Sequence, residues 1–188
     1  MNKASNKYYA LCICLVLVLA TAAVYWQVRS HEFVSLDDRA YISENEHVLN
    51  GLTWDGFKWA FTTTAMGNWH PLTWLSLMLD CQLLDSKARA CHTTNLMFHI
   101  ANTLLLFAVL KRMTGSVWPS AFVSAFFALH PLHVESVAWA AERKDVLSTL
   151  FWMLTMWAYI NYTERPSLAR YIPIVVFLYW VLWPSRCW

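Results

Sequence analysis

The sequence predicts an all-α protein, a polytopic bundle of membrane helices. Three observations carry that expectation. Of 188 residues, 58% are hydrophobic and 14% charged, against roughly a quarter charged in soluble domains. Tyr8 to about Val28 is one apolar run, long enough to cross a bilayer core of ~30 Å. Later apolar runs near 90–110, 117–133, 146–162 and 171–182 are separated by short polar or basic segments such as Lys111-Arg112 and Glu164-Arg165-Pro166. Four glycines and six prolines exclude a low-complexity chain. A net charge of +2 without a basic patch argues against a nucleic-acid partner. Five cysteines, at 12, 14, 81, 91 and 187, form neither a CxxC pair nor a metal spacing. Cys81 and Cys91 are the pair that export would allow to join.

In chain order, the short basic stretch Met1 to Lys7 leads into the first run. Ala20-Thr21-Ala22 loosely fits a signal cleavage site, but the run continues through Tyr25, Trp26 and Val28, which favours an uncleaved signal anchor. Residues 29–89 form the longest non-spanning segment. Within it, Trp54 to Phe61 reads as a short amphipathic helix capped by Thr53, its aromatics at headgroup level. Pro71 to about Leu84 carries Leu72, Leu75, Leu79 and Leu83 on one helical face. Its length and Asp80 make it interfacial or re-entrant rather than spanning.

The second run carries His92, Asn95, His99 and Asn102 at intervals of three, four and three. That spacing puts them on one stripe, which lipid would penalise, so the stripe should face the bundle interior or a wet cavity. Site lining and interhelical hydrogen-bonding glue both fit. The third run meets Pro131, which kinks or ends it. There stands the densest polar cluster in the chain, His130, His133 and Glu135 followed by Glu142-Arg143-Lys144-Asp145. The alternative for that cluster is a charged connection that merely caps two helices.

With the N-terminus inside, the inner segments hold Lys3, Lys7, Lys111, Arg112, Arg165 and Arg170 against Glu164 alone, a density contrast that fits the positive-inside rule. Asp37-Asp38 and the cluster then share the outer face. Two adjacent carboxylates just beyond a first span are a candidate general base, or an orienting pair for a sugar hydroxyl. An Asx-type turn is the competing reading. Arg143 and Lys144, with His133 nearby, suit a phosphate. His130, Glu135, His92, Asn95 and His99 would line the same site. His130, His133 and Glu135 offer a divalent metal only a weak pattern, so neither cofactor nor metal is expected. A base, a phosphate clamp and a membrane-embedded groove on one face point to transfer from a lipid-linked phosphate donor.

Several motifs carry a family resemblance. Asp37-Asp38, the segment from Gly51 to Thr64, Asn68-Trp69-His70-Pro71-Leu72-Thr73-Trp74-Leu75-Ser76, Met78 to Leu83, and LHPLHVESVAWAAERKDVLS at 129–148 resemble bacterial membrane proteins with C-terminal tetratricopeptide repeats. These are similar to the transmembrane and tetratricopeptide-repeat O-mannosyltransferases, with a GT-C membrane fold, and the resemblance runs from residue 33 to about 180. It implies an inverting transfer of a sugar, typically mannose, from a polyprenyl phosphate to a protein Ser or Thr at the outer face of a bacterial inner membrane. On that resemblance Asp37 is the preferred base and Asp38 orients the acceptor. Arg143, Lys144 and His133 stabilise the departing lipid phosphate.

The chain is expected to be the N-terminal part of such a module, because no 34-residue repeat follows. Relatives tend to read Met-Ala-Lys-Pro-Met-Leu just after the fifth span begins. One coding of that run, read one base later, yields Trp183-Pro184-Ser185-Arg186-Cys187-Trp188. A frameshifted tail at 183–188 is therefore expected, and with it a truncated product of doubtful activity. The competing function is a non-catalytic membrane scaffold or transporter fragment using the polar stripe as a pathway. Charges gathered at one face favour the enzyme.

Overall fold

A computed structural model of the chain describes residues 3–34, 37–83 and 87–182. It is helical throughout, with no strand among the described residues. Helix α1 (Lys3–Tyr25) runs on as a 3-10 turn, Trp26–Ser30. A π-helical turn, Arg39–Ser43, precedes three helices: α2 (Glu46–Leu49), α3 (Trp54–Thr62) and α4 (Pro71–Leu83). Then come α5 (Lys87–Thr114), α6 (Val117–Leu129), α7 (Val134–Ala138), α8 (Arg143–Glu164) and α9 (Leu168–Leu182). The tail at 183–188, including Cys187, lies outside the described residues.

Two helical stretches are long and apolar enough to cross a membrane, Lys7–Ser30 and Ala88–Thr114, and a third is available if α6 and 131–138 count as one bent span. The bend is 51°. Its cause is local: Pro131 forces the preceding His130 out of helical geometry (φ −68°, ψ 130°), and α6 stops there. α5 stops where Gly115 takes up φ +70°, a conformation that glycine adopts without strain, while Lys111 and Arg112 sit in its last turn, where the helix dipole favours cations.

α5 is the central element, packed against α1, α4, α6, α7 and α8, while α9 folds back along α8. On α6, the buried positions are Ser120, Ser124 and Ala128, spaced four apart. Small residues there let backbones approach closely, and each serine hydroxyl donates to the carbonyl four residues back. The opposite faces carry exposed apolar rows, including Leu11, Leu15 and Leu19 on α1 and Trp118, Phe122 and Phe126 on α6. Such rows suit lipid rather than water.

Between α1 and α5 the chain builds a folded helical cap rather than a bare loop. Its core joins Tyr41, Ile42, Val48, Ala60, Trp74, Leu77 and Met78 to Cys91 of α5 and Ala140-Ala141 before α8. α3 begins where the Thr53 hydroxyl accepts the Gly56 N–H at 3.0 Å. α4 departs from the face its leucines suggested. Trp74, Leu77, Met78 and Asp80 turn inward, whereas Leu79 and Leu83 are exposed. The large ring of Trp74, together with the need of Asp80 for a buried partner, outweighs the leucine stripe in choosing which side packs. Cys81 and Cys91 are not joined in a disulfide.

Candidate functional site

The polar stripe on α5 is buried, at 0–2% exposure for His92, Asn95, His99 and Asn102. Three of the four side chains bond to backbone carbonyls of later segments. Asn95 donates to Trp139 O at 3.0 Å and Asn102 to Val146 O at 2.9 Å. His99 Nε2 lies 3.0 Å from Ala128 O; a carbonyl only accepts, so that nitrogen carries the proton. These bonds fasten the end of α6, the link after α7 and the start of α8 to one helix. His92 differs: it packs beside Phe33, and its ring reaches no carbonyl of α6, α7 or α8 among the described residues.

Arg143, at the first turn of α8, is fully buried. Its Nε donates to Asn95 Oδ1 at 2.5 Å, Nη1 to Ser76 Oγ at 2.6 Å, and Nη2 to Asp80 Oδ2 at 2.6 Å and Cys91 O at 2.9 Å. Asp80 also accepts from Thr94 Oγ1 at 2.7 Å. Four of its five N–H groups are engaged, and the guanidinium ties α4, α5 and α8 together. Lys144, next in sequence, points elsewhere. Its Nζ pairs with Glu142 at 2.8 Å and stays partly accessible. Burial works against its charge, but Glu142 outweighs that and holds the ammonium above the usual lysine range.

The acidic pair splits in the same way. Asp38 is fully buried and spans two backbone donors, the Val34 N–H at 2.9 Å and the Ala141 N–H at 2.8 Å. Burial pushes its carboxyl above the ordinary Asp range, although both N–H groups favour the charged form. A carboxylate just past α1 is thus latched to a residue 103 positions later. Asp37 is half-exposed, beside Asp38 and Tyr41. The Tyr41 hydroxyl, pushed up mainly by burial, lies within electrostatic reach of Lys144, Asp37 and Glu142. The latch to Ala141 therefore sets the Asp37-Asp38 backbone beside the segment that leads into Lys144, and this meeting point is the polar corner.

An aromatic wall backs that corner. Tyr41, His70 and Trp74 stack, with centroids 4.9 to 5.6 Å apart. Burial and nearby Lys144 lower His70 to about 4, which keeps the ring neutral at pH 7. Beside it a narrow cleft of about 20 Å³ is lined by Trp69, His70, Lys144, Ser148, Phe151 and Trp180; that is room for about one water. His130 and His133 stand apart from this corner. They pack on Phe126 and Phe127 at 4.8 and 4.5 Å, and His130 Nδ1 accepts the Leu132 N–H. Glu135 is exposed on α7. Among the described residues no three His, Cys, Asp or Glu side chains are grouped to hold a metal ion.

Tyr41, His70, Ser76 and Asp80 were not among the residues that sequence reasoning assigned to the site. Asp80 had a readable signal, since an acid in an apolar helix needs a buried partner. Tyr41 and His70 had none.

Fold and site together define a helical membrane protein with a polar corner held beneath a folded cap. Sequence comparison adds relatives of one kind. The chain is 30% identical over 157 residues to protein O-mannosyl-transferase Tmtc2 of Drosophila melanogaster, covering 79% of this chain and 17% of that protein. It is 26% identical over 186 residues to human protein O-mannosyl-transferase TMTC3, covering 93% of this chain and 20% of the relative. Human TMTC1 is 28% identical over 176 residues, covering 89% and 20%. The protein O-mannosyl-transferases are thus homologues of this chain at modest identity, and it spans about a fifth of their length. No family model and no solved structure matches it.

Proposed function

We propose that this chain is the N-terminal part of a membrane glycosyltransferase of the O-mannosyltransferase kind, with a GT-C fold. It transfers a sugar, mannose by analogy with its homologues' names, from a polyprenyl phosphate to a protein Ser or Thr at the outer membrane face. The observation that carries this reading is the Asp38 latch to the Ala141 N–H, which holds the acidic pair's backbone beside the segment that leads into Lys144. Asp37 takes the proton of the acceptor hydroxyl as its oxygen attacks the anomeric carbon. The bond from that carbon to the phosphate oxygen breaks with inversion, and the lipid phosphate leaves with the electron pair. Lys144 stabilises that developing charge. Arg143 and Asp38 serve as positioning residues, the first fixing the start of α8 and the second fixing the acidic pair.

A transporter reading loses support, because the side-chain donors of Asn95, His99 and Asn102 on the α5 stripe are spent on backbone carbonyls. The test is sugar transfer from polyprenyl phosphate mannose to a Ser/Thr peptide in membranes containing the protein or its Asp37→Asn form. Transfer at equal rates in both would remove Asp37 from the mechanism.

A further inference from the structure

A second cavity lies far from this corner. It is a groove of about 680 Å³ between α1, α5 and α8. Its mouth is basic: Lys7 near the start of α1 and Lys111 and Arg112 at the end of α5. Its floor is apolar, with Leu11, Phe107 and Trp157. Polarity thus changes along the helix axes, from charged at the chain ends to apolar one or two turns deeper. Lys111 and His92 are 19 residues apart on one helix, which separates the mouth from the candidate site by about 28 Å at 1.5 Å per residue. That is close to the thickness of a hydrocarbon core.

The charges in the mouth are unequally committed. Arg112 is held bidentately by Glu164, at 2.9 and 2.7 Å, and lies over the Trp157 ring at 4.7 Å. Lys7 and Lys111 have no ion-pair partner among the described residues. Two uncommitted cations above an apolar channel match one ligand chemistry, a phosphate joined to an acyl chain. We propose that this groove binds one anionic phospholipid, its phosphate between Lys7 and Lys111 and one acyl chain along Leu11 and Phe107. The Arg112–Glu164 pair forms the fixed rim on the α8 side, so the lipid staples α1 to α5 at the end of the bundle opposite the candidate site.

The test is lipid retention by the purified chain in detergent, read by native mass spectrometry after addition of phosphatidylglycerol, phosphatidylcholine or sodium phosphate. One phosphatidylglycerol per chain is expected, retained at least about tenfold better than phosphatidylcholine. Each base near an anionic headgroup is worth roughly fivefold, so Lys7→Gln with Lys111→Gln should weaken retention roughly 25-fold. Leu11→Trp, which fills the floor and keeps both charges, should also expel the lipid. Lys58→Gln, on the cap, should bind as the parent does. The proposal is overturned if the double variant retains phosphatidylglycerol like the parent, or if phosphatidylcholine is held equally well. It is also overturned if sodium phosphate binds alone and Leu11→Trp changes nothing, since that describes a free-phosphate site.

Discussion

Replacing Arg143 by Met tests the buried network most directly. The arginine is fully buried and its partner Asp80 has 7% side-chain exposure. Hydrogen bonds to charged groups are worth about 1.5–3 kcal/mol each, so adding up the four around Arg143 would overshoot, because Ser76 and Asn95 can turn to other partners. The controlling cost is the charge left behind. With Arg143→Met, Asp80 keeps the Thr94 hydroxyl at 2.7 Å but carries a carboxylate without its cation inside the protein. Breaking a buried pair in this way costs about 3–5 kcal/mol. Removing both charges should cost less than the two single changes added together, since Asp80→Asn with Arg143→Met leaves no orphan charge. The expected coupling is about 1–3 kcal/mol. Unfolding of the four proteins in mixed detergent–SDS micelles, followed by tryptophan fluorescence, gives the cycle. The reasoning fails if Arg143→Met lies within about 1 kcal/mol of the parent, or if the double variant is simply additive.

Further outcomes follow from other sites. His70 is lowered to about 4 from an ordinary 6.5, so the folded state resists its protonation. The associated stability is complete above pH 6.5 and is lost as pH falls toward 4, a total of about 3 kcal/mol; His70→Phe should remove that slope from stability measured between pH 7 and 4.5. Thr53→Ala removes the cap of α3 and should cost about 1 kcal/mol in the same unfolding assay. Gly51→Ala puts a Cβ at φ +71° and 3.1 Å from Gln82 Cβ, a strain of about 1–2 kcal/mol that the melt should register. Lys144→Gln should slow sugar transfer by roughly 10- to 100-fold while leaving stability close to the parent, because its ion pair is partly exposed.

How much of this was legible in the chain depends on whether local period or distant geometry decides. The three-four-three spacing of His92, Asn95, His99 and Asn102 reports a shared helical face, and that face is buried. Three of them, Asn95, His99 and Asn102, reach backbone carbonyls of Trp139, Ala128 and Val146. A carbonyl has no side-chain identity, so no sequence pattern announces it. The bend at Pro131 and the Thr53 cap are likewise local and readable. The choice between Arg143 and Lys144 is not, because adjacent helical positions differ by about 100° around the axis. Either cation could have faced inward. What decides is Asp80, which lies 63 positions earlier on α4 and whose carboxylate requires a planar, multiply bonded partner of the kind arginine supplies.

The same logic separates the two acids. Asp37 and Asp38 are chemically identical in the sequence, yet Asp38 is fully buried on two backbone N–H groups and Asp37 stays partly exposed. A rigid carboxylate beside a free one is a workable division for catalysis, since a general base must keep its lone pairs available while its backbone stays fixed. Asp38→Asn keeps an acceptor oxygen for one N–H but turns its amide toward the other. The site should loosen, and transfer should fall with the Val34–Ala141 bridge even though Asp37 remains. If Asp38→Asn instead abolished transfer with the melt unchanged while Asp37→Asn retained it, the roles of the two acids would be reversed.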